Sequence, residues 1–359
     1  MTSFLIVLSL MIVAPRDGDV VPTQKDAQKA YLSAARSERA MRMGNRVDRE
    51  KLLKIGSAQR PLRVAWTGGT NAVYLLTVDY GEGGAREVFA VTNRTQVWLT
   101  NLELSQNYTL KVEREGAPGD SALVRFTTES DAPRFLKAEG VYNFRDCGGW
   151  RTDDGHRIKE NMIFRSAGLR ASSRSEGGLF SQRTKMGAQR VTDAGIATLK
   201  RDFKIRTDLE LRAASEIAGM EGSLLAPEAQ WKTVSFAAYD QIGDQVKGRE
   251  PFAKVFALFS DRSSYPILMH CSAGADRTGT LTFLLNGLLG VSEEDLRRDW
   301  ESSTFSNGDI DFSPVQLQRL VDYLNTFRGK TMQERIESYV KSCGIPAEQI
   351  AAFRKIMID

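Results

Sequence analysis

The sequence predicts two domains of different fold class: a β-sandwich, followed by an α/β domain with a central, mostly parallel sheet flanked by helices. Residues 59–130 contain short apolar runs separated by turn residues, which is typical of antiparallel β structure. From residue 131 to residue 359, strand-like runs alternate with capped helices. A chain of 359 residues is long enough for both domains.

Residues 1–20 are predicted to be a signal peptide. The apolar run 4–14 suits the core of such a peptide and is too short to span a bilayer. No Lys or Arg precedes this run and Pro15 follows it, so a buried or frayed N-terminal segment is the alternative. We expect an exported protein, periplasmic or secreted, or otherwise a cytoplasmic one, without stable membrane insertion.

Residues 21–58 are predicted to form a polar helix or a solvated linker, because the stretch 26–49 is rich in Ala, Arg and Met. Its basic residues are interpreted as a solvent-exposed face. The whole chain has 49 Lys and Arg against 45 Asp and Glu, a net charge of +4. This mild excess does not predict nucleic-acid binding, although it is compatible with an anionic substrate.

The predicted sandwich contains a short segment with a recognisable spacing. Leu102, Leu104 and Tyr108 resemble the tyrosine-corner segment of fibronectin type III domains, with Leu104 where proline is usual. The resemblance implies a binding or positioning role and no chemistry. The predicted strands of this domain are 62–66, 72–80, 87–92, 96–102, 108–114 and 122–129.

In the α/β domain, helices are located by their N-terminal caps. Ser292 with Asp295 three residues later is a capping box, and Ser313 followed by Pro314 marks another helix start. Predicted strands are 205–211, 233–237 and 264–270, and helices are predicted after Ser292, Ser313 and Thr331 and at Pro346.

The cysteine and histidine content excludes several kinds of site. Three scattered cysteines, Cys147, Cys271 and Cys343, do not form a disulfide framework. The chain has two histidines, His156 and His270, which leaves little room for a His-rich metal site or a Ser-His-Asp triad. We therefore expect neither a metal nor another cofactor.

Cys271 lies between the apolar run 266–269 and a loop of small residues that ends in Arg277 and Thr278. A helix predicted over 280–289 follows, so the loop joins a buried strand to a helix N-terminus. Main-chain N–H groups and the helix dipole there can hold a phosphate-sized dianion, and Arg277 can bind two of its oxygens. The same field favours a thiolate at Cys271, a nucleophile directed at phosphorus. An inert cysteine in a tight turn is the alternative.

The segment His270–Gly279, HCSAGADRTG, resembles the signature loop of protein tyrosine phosphatases, in particular the bacterial tyrosine/serine phosphatases with His-Cys-x-x-Gly-x-Asp-Arg-Thr-Gly. A second segment, Asn143–Trp150, resembles the Asn-Phe-Arg-Asp-Leu-Gly-Gly motif of that family, and segments 163–166 and 205–212 follow in family order. The resemblance covers residues 132–359. It implies a tyrosine phosphatase-like domain that needs no metal.

By position, the resemblance implies that Cys271 forms a cysteinyl-phosphate and that Arg277 stabilises the phosphoryl group in the transition state. Thr278 would donate a hydrogen bond to the departing thiolate, and His270 would order the loop. The substrate-binding set consists of Ser272, Ala273, Gly274, Ala275, Thr278, Arg145 and Asp146.

Four charged residues near this loop in the family pattern each have two possible roles. Arg145 and Asp146 are expected to brace the phosphate loop, with a local surface ion pair as the alternative. Asp276 in the loop is the first candidate for the general acid, and Asp240, ahead of the Cys271 strand, is the second. Either carboxylate could instead be structural, as an arginine partner or a turn residue.

Two positions depart from the family pattern. Ala275 stands where relatives that act on phosphoinositides often have Lys, which argues against that activity. Cys147 stands where Leu is usual; we expect a buried apolar role, with redox pairing to Cys271 as the alternative. The basic segment 172–190 is interpreted as a solvated loop, with a position at the edge of the cleft as the alternative.

The resulting hypothesis is hydrolysis of phosphate monoesters on tyrosine, and in a broader form also on serine, in a phosphorylated protein or a small phosphomonoester. Hydrolysis of inositol phosphates or phosphoinositides is one alternative, and a non-catalytic phosphate-binding or adhesion protein is another. The intact set Cys271, Asp276 and Arg277 favours an active enzyme. The sequence makes no prediction about oligomeric state.

Overall fold

The structure, a computed structural model, divides into two compact units. The first comprises Met1–Lys25 and Gln59–Ala132, and the second comprises Asp26–Ala58 and Pro133–Asp359. Within the part of the chain that the structure describes, no helix is both long and apolar enough to cross a bilayer. The described residues are 10–80, 86–171, 189–306 and 312–358.

The first unit consists of β-strands in two sheets. The alternation of apolar and polar residues along these strands places one face of each sheet in a shared core. The strands are β1 (Ile12–Ala14), β2 (Asp19–Val21), β3 (Leu62–Trp66), β4 (Val73–Tyr80), β5 (Arg86–Thr92), β6 (Gln96–Leu99), β7 (Asn107–Arg114) and β8 (Ser121–Thr128).

One sheet has the strand order β1-β3-β6 and the other has the order β2-β8-β7-β4-β5. Neighbouring strands are antiparallel except β2 and β8, which are parallel. Apolar side chains from both sheets, among them Val64, Trp66, Leu110 and Phe126, form one buried cluster. The main-chain N–H of Glu103 donates to the hydroxyl of Tyr108, 2.8 Å away.

The N-terminal residues differ from the prediction. The six predicted strands are present as β3 to β8, but β1 and β2 also belong to these sheets, and Leu10 and Val21 lie in the apolar cluster. Residues 10–20 thus lie in the folded unit although the sequence assigned them to a signal peptide, because a continuous apolar run does not distinguish a short buried strand from a leader. Residues 1–9 lie outside the described residues, and export stays a prediction.

The second unit is a sheet with helices. Its helices are α1 (Asp26–Ser33), α2 (Arg36–Gly44), α3 (Arg46–Ile55), α4 (Asp193–Arg201), α5 (Glu250–Phe259), α6 (Asp276–Leu288), α7 (Glu293–Glu301), α8 (Pro314–Leu324), α9 (Met332–Ser342) and α10 (Ala347–Met357). Its strands are β9 (Arg145–Asp146), β10 (Ile163–Ala167), β11 (Thr207–Glu210), β12 (Gln230–Thr233) and β13 (Ile267–Cys271).

The sheet of this unit has the order β12-β11-β13-β10-β9. Strand β13 lies in the middle and runs parallel to both β10 and β11, and only the edge strand β9 pairs antiparallel. The strand predicted at 233–237 is β12 at Gln230–Thr233 instead; the buried Phe236 beyond it produced the apolar signal. Because β13 is central, its carboxyl end places Cys271 at the edge of the sheet where parallel-sheet proteins bind ligands.

The segment 21–58 is predicted as a polar helix or a solvated linker; its residues 26–58 contain the three helices α1 to α3 and cluster with the second unit. The guanidinium of Arg39 is fully buried and contacts the carboxylates of Glu301 at 2.5 Å and Glu294 at 2.6 Å. Tyr31 packs edge-on against Phe305 with ring centroids 5.5 Å apart. The predicted domain 131–359 therefore covers only part of this unit. Helix α2 buries Arg39 as well as Met43, and hydropathy does not mark a buried arginine.

Candidate active site

The loop that follows Cys271 has a conformation that requires glycine at position 274. The Cys271 side chain is buried at the end of β13, and α6 begins at Asp276. Gly274 has φ of +68°, and a Cβ added there would lie 2.3 Å from the carbonyl oxygen of Ser166. The turn is therefore tight and lies directly against β10.

Each main-chain carbonyl of residues 272–275 accepts a hydrogen bond from the surrounding protein. Three of the donors are side chains from distant segments, and they fix the position of the loop. The bonds are Gly168 N–H to Ser272 (3.2 Å), Arg190 Nη1 to Ser272 (3.3 Å), Asn143 Nδ2 to Ala273 (3.1 Å), Arg165 Nη2 to Gly274 (2.7 Å) and Gly279 N–H to Ala275 (3.0 Å).

The N–H groups of the same residues are arranged differently. Within the described ranges, no protein acceptor receives a hydrogen bond from the main-chain N–H of residues 272–275. Buried main-chain donors need partners, so a loop whose carbonyls are occupied and whose N–H groups are not is suited to bind an anion. The first turn of α6 adds the positive end of its dipole at the same place.

The guanidinium of Arg277 lies beside this loop and donates hydrogen bonds from two of its nitrogens. Its Nη1 and Nη2 donate to the two carboxylate oxygens of Glu216 at 2.6 and 3.0 Å, and Glu216 also accepts from the Ser272 hydroxyl at 3.4 Å. Burial alone would lower the pKa of Arg277, but the Glu216 carboxylate and the Cys271 sulfur raise it overall. Arg277 is thus held as a cation, in a fixed plane, next to the thiol.

Asp276, the first candidate for the general acid, is hydrogen-bonded to a tyrosine. The phenol of Tyr239 donates to Asp276 Oδ1, and Tyr239 is buried while Asp276 is half-buried. Asp240, the second candidate, is exposed in the short turn Tyr239–Gly243. Of the two carboxylates, only that of Asp276 belongs to the segment that directly follows Cys271.

A buried group of charged side chains supports the loop from behind. Arg145 and Arg165 both contact the carboxylate of Asp299 on α7, and Arg145 also donates to Asn143 and to the Ser303 hydroxyl. Burial and the neighbouring Arg165 lower the pKa of Arg145 to about 10, against the opposing effect of Asp299. Since Asn143 and Arg165 bind loop carbonyls, we call Asn143, Arg145, Arg165 and Asp299 the loop brace.

Arg145 and Asp146 were grouped with the substrate-binding residues, and the structure corrects this. Both side chains are 0% exposed, so neither contacts a substrate. Arg145 acts through the loop brace. The Asp146 carboxylate accepts from the main-chain N–H of Gly148 at 2.8 Å and of Asn161 at 2.7 Å, and pairs with Arg134 at 3.0 Å. Asp146 therefore fixes the segment that carries Arg145, and the alternative of a surface pair is wrong for both.

His270 is buried between two carboxylates of β11. Its Nε2 lies 2.7 Å from Asp208 Oδ1 and its Nδ1 lies 3.5 Å from Glu210 Oε2. Burial disfavours the imidazolium, but the Glu210 and Asp208 carboxylates raise the pKa of His270 overall. The side chain therefore ties the end of β13 to β11, which agrees with a structural role for this histidine.

Thr278 and Cys147 lie in the interior near the loop. The hydroxyl of Thr278 is buried and has no hydrogen-bond partner among the described residues, so it is available to a group that enters the loop. Cys147 Sγ is 4.0 Å from the Thr282 hydroxyl. Burial, with Asp299 nearby, raises the pKa of Cys147, which disfavours the thiolate that redox pairing with Cys271 would use.

Three functional candidates were missed by the sequence analysis: Glu216, Tyr239 and Asp299. Glu216 lies just beyond the carboxyl end of β11, a position that could have marked it. Tyr239 directly precedes Asp240, the residue that the sequence analysis named as the second candidate for the general acid. Of the segment 172–190, interpreted as a solvated loop, residues 172–188 lie outside the described residues, whereas Arg190 donates to the Ser272 carbonyl of the Cys271 loop.

No metal-binding cluster of three or more His, Cys, Asp or Glu side chains is found in the described part of the chain. The Cys271 loop offers hydrogen-bond donors and a guanidinium, which are groups that bind anions and not cations. What this arrangement can do chemically is to hold a tetrahedral dianion against a sulfur atom, with a carboxyl group from Asp276 nearby.

Comparisons with known proteins show the family of this chain. A Cupriavidus necator protein with the name "Putative tyrosine-protein phosphatase H16_A0669" is 26% identical over 192 residues, which span 52% of this chain and 68% of that protein. The core catalytic domain of the PP-IP phosphatase SIW14 from S. cerevisiae, known from a crystal structure, is 16% identical over 46% of this chain and 84% of that one, with a TM-score of 0.29. Residues 136–359 match the tyrosine phosphatase family. The chain belongs to the tyrosine phosphatase family.

Proposed function

We propose that this protein hydrolyses phosphate monoesters, phosphotyrosine first among them, through a cysteinyl-phosphate intermediate at Cys271. The observation that supports the proposal best is the asymmetry of the loop 272–275. Its carbonyls are all hydrogen-bonded to protein, and its N–H groups have no protein acceptor among the described residues. This loop is a preorganised anion site, and the sulfur of Cys271 lies at its start.

In the first step, the Cys271 thiolate attacks phosphorus while the bond between phosphorus and the ester oxygen breaks. Asp276 gives its proton to the leaving oxygen, so a neutral phenol or alcohol departs. The loop N–H groups and Arg277 stabilise the charge on the three equatorial oxygens in the transition state. Glu216 keeps the guanidinium in the plane that two phosphoryl oxygens require.

In the second step, a water molecule attacks the phosphorus of the cysteinyl-phosphate, and the Asp276 carboxylate takes its proton. The bond between sulfur and phosphorus breaks, inorganic phosphate leaves, and Cys271 returns as a thiolate. The Thr278 hydroxyl, which has no hydrogen-bond partner in the described part of the chain, can donate a hydrogen bond to that thiolate. Asp276 thus acts first as an acid and then as a base.

The substrate class is part of the proposal. Membership of the tyrosine phosphatase family and the name of the relative from Cupriavidus necator favour phosphotyrosine. Position 275, which carries a lysine in relatives that act on phosphoinositides, is a fully buried alanine here. The segment 272–278 therefore carries one cationic side chain of its own, Arg277, where the pattern with lysine carries two.

The test is hydrolysis of p-nitrophenyl phosphate in the presence of a metal chelator. We expect activity that vanadate blocks and that Cys271→Ser abolishes. The matched control is Cys343→Ser, which changes the free cysteine at the C-cap of α9 and should retain activity. Activity in Cys271→Ser equal to that of the parent contradicts the covalent mechanism.

The substrate class is decided by comparing kcat/KM for three substrates: a tyrosine-phosphorylated peptide, a serine-phosphorylated peptide and inositol hexakisphosphate. A preference for inositol hexakisphosphate contradicts the assignment to phosphotyrosine.

We also propose that the first unit is a fibronectin type III-like domain. The support is the hydrogen bond from Glu103 N–H to the Tyr108 hydroxyl, 2.8 Å, which has the geometry of a tyrosine corner. Such a domain would bind or position and carry no chemistry. Deletion of this unit should leave kcat for p-nitrophenyl phosphate unchanged in a folded remainder, and a lost kcat there contradicts the assignment.

A further inference from the structure

Tyr239 combines features that a merely structural tyrosine does not need. Its backbone has φ of +56°, a left-handed conformation that is rare for a residue with a bulky side chain. Its ring is buried and packs edge-on against Trp300, with centroids 6.3 Å apart. Strained backbone of this kind is found where the surrounding structure holds a side chain in place for function.

Two hydrogen bonds attach Tyr239 to the N-terminal turns of α6. The phenol donates to Asp276 Oδ1, and the main-chain N–H of Tyr239 donates to the hydroxyl of Thr280 at 3.0 Å. Asp276 and Thr280 are four residues apart and therefore share one face of the helix. Tyr239 is thus fixed relative to the loop by contacts one helical turn apart.

We propose that Tyr239 is a positioning residue for proton transfer, which orients the Asp276 carboxyl toward the leaving oxygen. This inference rests on the proposed role of Asp276 as general acid. A hydrogen bond from a fixed phenol to Oδ1 limits the rotation of the carboxyl group. Tyr239 thereby sets the direction in which this carboxyl group gives and takes its proton.

The environment keeps the phenol in its donor form. Burial and the adjacent Asp276 carboxyl both raise the pKa of Tyr239. The hydrogen bond therefore persists when Asp276 is ionised and when it is protonated, because Oδ1 can accept in either state. The same contact serves the first step, in which Asp276 is the acid, and the second step, in which it is the base.

The test compares two substrates that differ in how much they need the acid. Phenyl phosphate has a poor leaving group, and p-nitrophenyl phosphate has a good one. We expect Tyr239→Phe to lower kcat for phenyl phosphate about tenfold while KM and the kcat for p-nitrophenyl phosphate change by less than about twofold. We expect Asp276→Asn to lower kcat for phenyl phosphate about a hundredfold, and Tyr239→Phe to cause no further loss in that background.

Two further variants distinguish a specific effect of Tyr239→Phe from a loss of folding. Tyr265→Phe removes another buried phenol, whose hydroxyl donates to the Phe259 carbonyl, and should leave both kcat values unchanged. Thr280→Val keeps the phenol of Tyr239 and removes the acceptor of its N–H, so it should give a smaller loss confined to phenyl phosphate. If Tyr239→Phe does not fold, Thr280→Val decides by the same criterion.

The inference is overturned if Tyr239→Phe slows both substrates equally, slows neither, or multiplies its loss with that of Asp276→Asn. Such results leave the proposed acid in place as long as Asp276→Asn alone slows phenyl phosphate. If Asp276→Asn slows neither substrate, the acid assignment fails and the inference fails with it. Failure of the covalent mechanism is a separate outcome, since it is read from Cys271→Ser.

Discussion

The two units of this protein bury different kinds of side chains. Among the described residues of the first unit, the buried polar side chains are uncharged, such as Thr77 and Gln59, and its core is a continuous apolar cluster. The second unit buries carboxylates and guanidinium groups as well, including Arg145, Arg165 and Asp299. Both units are built around sheets, so the fold class does not explain the contrast.

Buried charges are costly, because each must leave water and find complete compensation inside the protein. The first unit avoids this cost. In the second unit one group of these charges, the loop brace, lies behind one short loop, where Arg165 hydrogen-bonds the Gly274 carbonyl and the loop N–H groups are left to a ligand. Another buried pair, Arg39 with Glu301, holds helix α2 instead. The contrast teaches that the second unit uses buried charge to fix particular backbone segments, the candidate site among them, whereas the core of the first unit is apolar.

The largest expected effect comes from breaking the loop brace. Asp299→Asn leaves Arg145 and Arg165 without their shared carboxylate, and we expect a loss of about 3–5 kcal/mol in the free energy of unfolding. Activity should fall as well, since Arg165 holds the Gly274 carbonyl. Urea unfolding and p-nitrophenyl phosphate hydrolysis measure the two effects. Glu50→Gln, at the exposed pair with Arg46, is the control and should cost less than about 1 kcal/mol.

A cavity in the first unit should act on stability alone. Leu110 is fully buried in the apolar cluster, and Leu110→Ala should lower the free energy of unfolding by about 2–5 kcal/mol through lost burial and an unfilled cavity. The kcat of the folded fraction should not change. A large fall in kcat at a temperature where the variant is fully folded would show that the contrast between the units is incomplete.

Two glycines with positive φ sharpen the contrast further. Gly274 has φ of +68° and no room for a Cβ, whereas Gly116 in the first unit has φ of +76° and open space around it. Gly274→Ala should reduce kcat/KM about a hundredfold by displacing the loop. Gly116→Ala should cost about 1 kcal/mol of stability from its backbone conformation and leave kcat/KM unchanged. Equal effects of the two substitutions on activity would contradict this account.

The smallest expected effect is a pH dependence of stability from His270. Its pKa is raised above the ordinary value of 6.5 by Glu210 and Asp208, which outweigh the opposing effect of burial. A group whose pKa rises on folding stabilises the native state at low pH and loses that contribution as pH rises through the folded value. The free energy of unfolding should therefore fall above pH 6.5, and His270→Gln should make this decline shallower. Parallel curves for the two proteins would refute the assignment.

Much of the site was predictable because it is local. The spacing within 270–279 placed Cys271, Asp276 and Arg277 on one strand–loop–helix unit, and no tertiary contact was needed to see it. Glu216, Tyr239 and Asp299 come from three other segments, and their role depends on how the chain folds back onto the loop. A sequence pattern does not encode that approach.

The fold was predictable to a similar degree and for a similar reason. Alternation revealed β3 to β8, and the caps at Ser292 and Thr331 agree with the observed helix starts. The packing of α2 in the second unit involves Arg39, whose burial is stabilised by two distant carboxylates on α7, Glu294 and Glu301. Strands β1 and β2 have three residues each, too few to show a period.

The central claim is that the sulfur of Cys271 takes the phosphoryl group and forms a cysteinyl-phosphate, and trapping this intermediate tests the claim most directly. The protein would be mixed with p-nitrophenyl phosphate carrying a phosphorus label, quenched in acid within one turnover, digested and examined by mass spectrometry. The account predicts a phosphoryl group on the peptide that contains Cys271, and none on that peptide in Cys271→Ser. Turnover at the full rate without this adduct, or with the label on another residue, would contradict it.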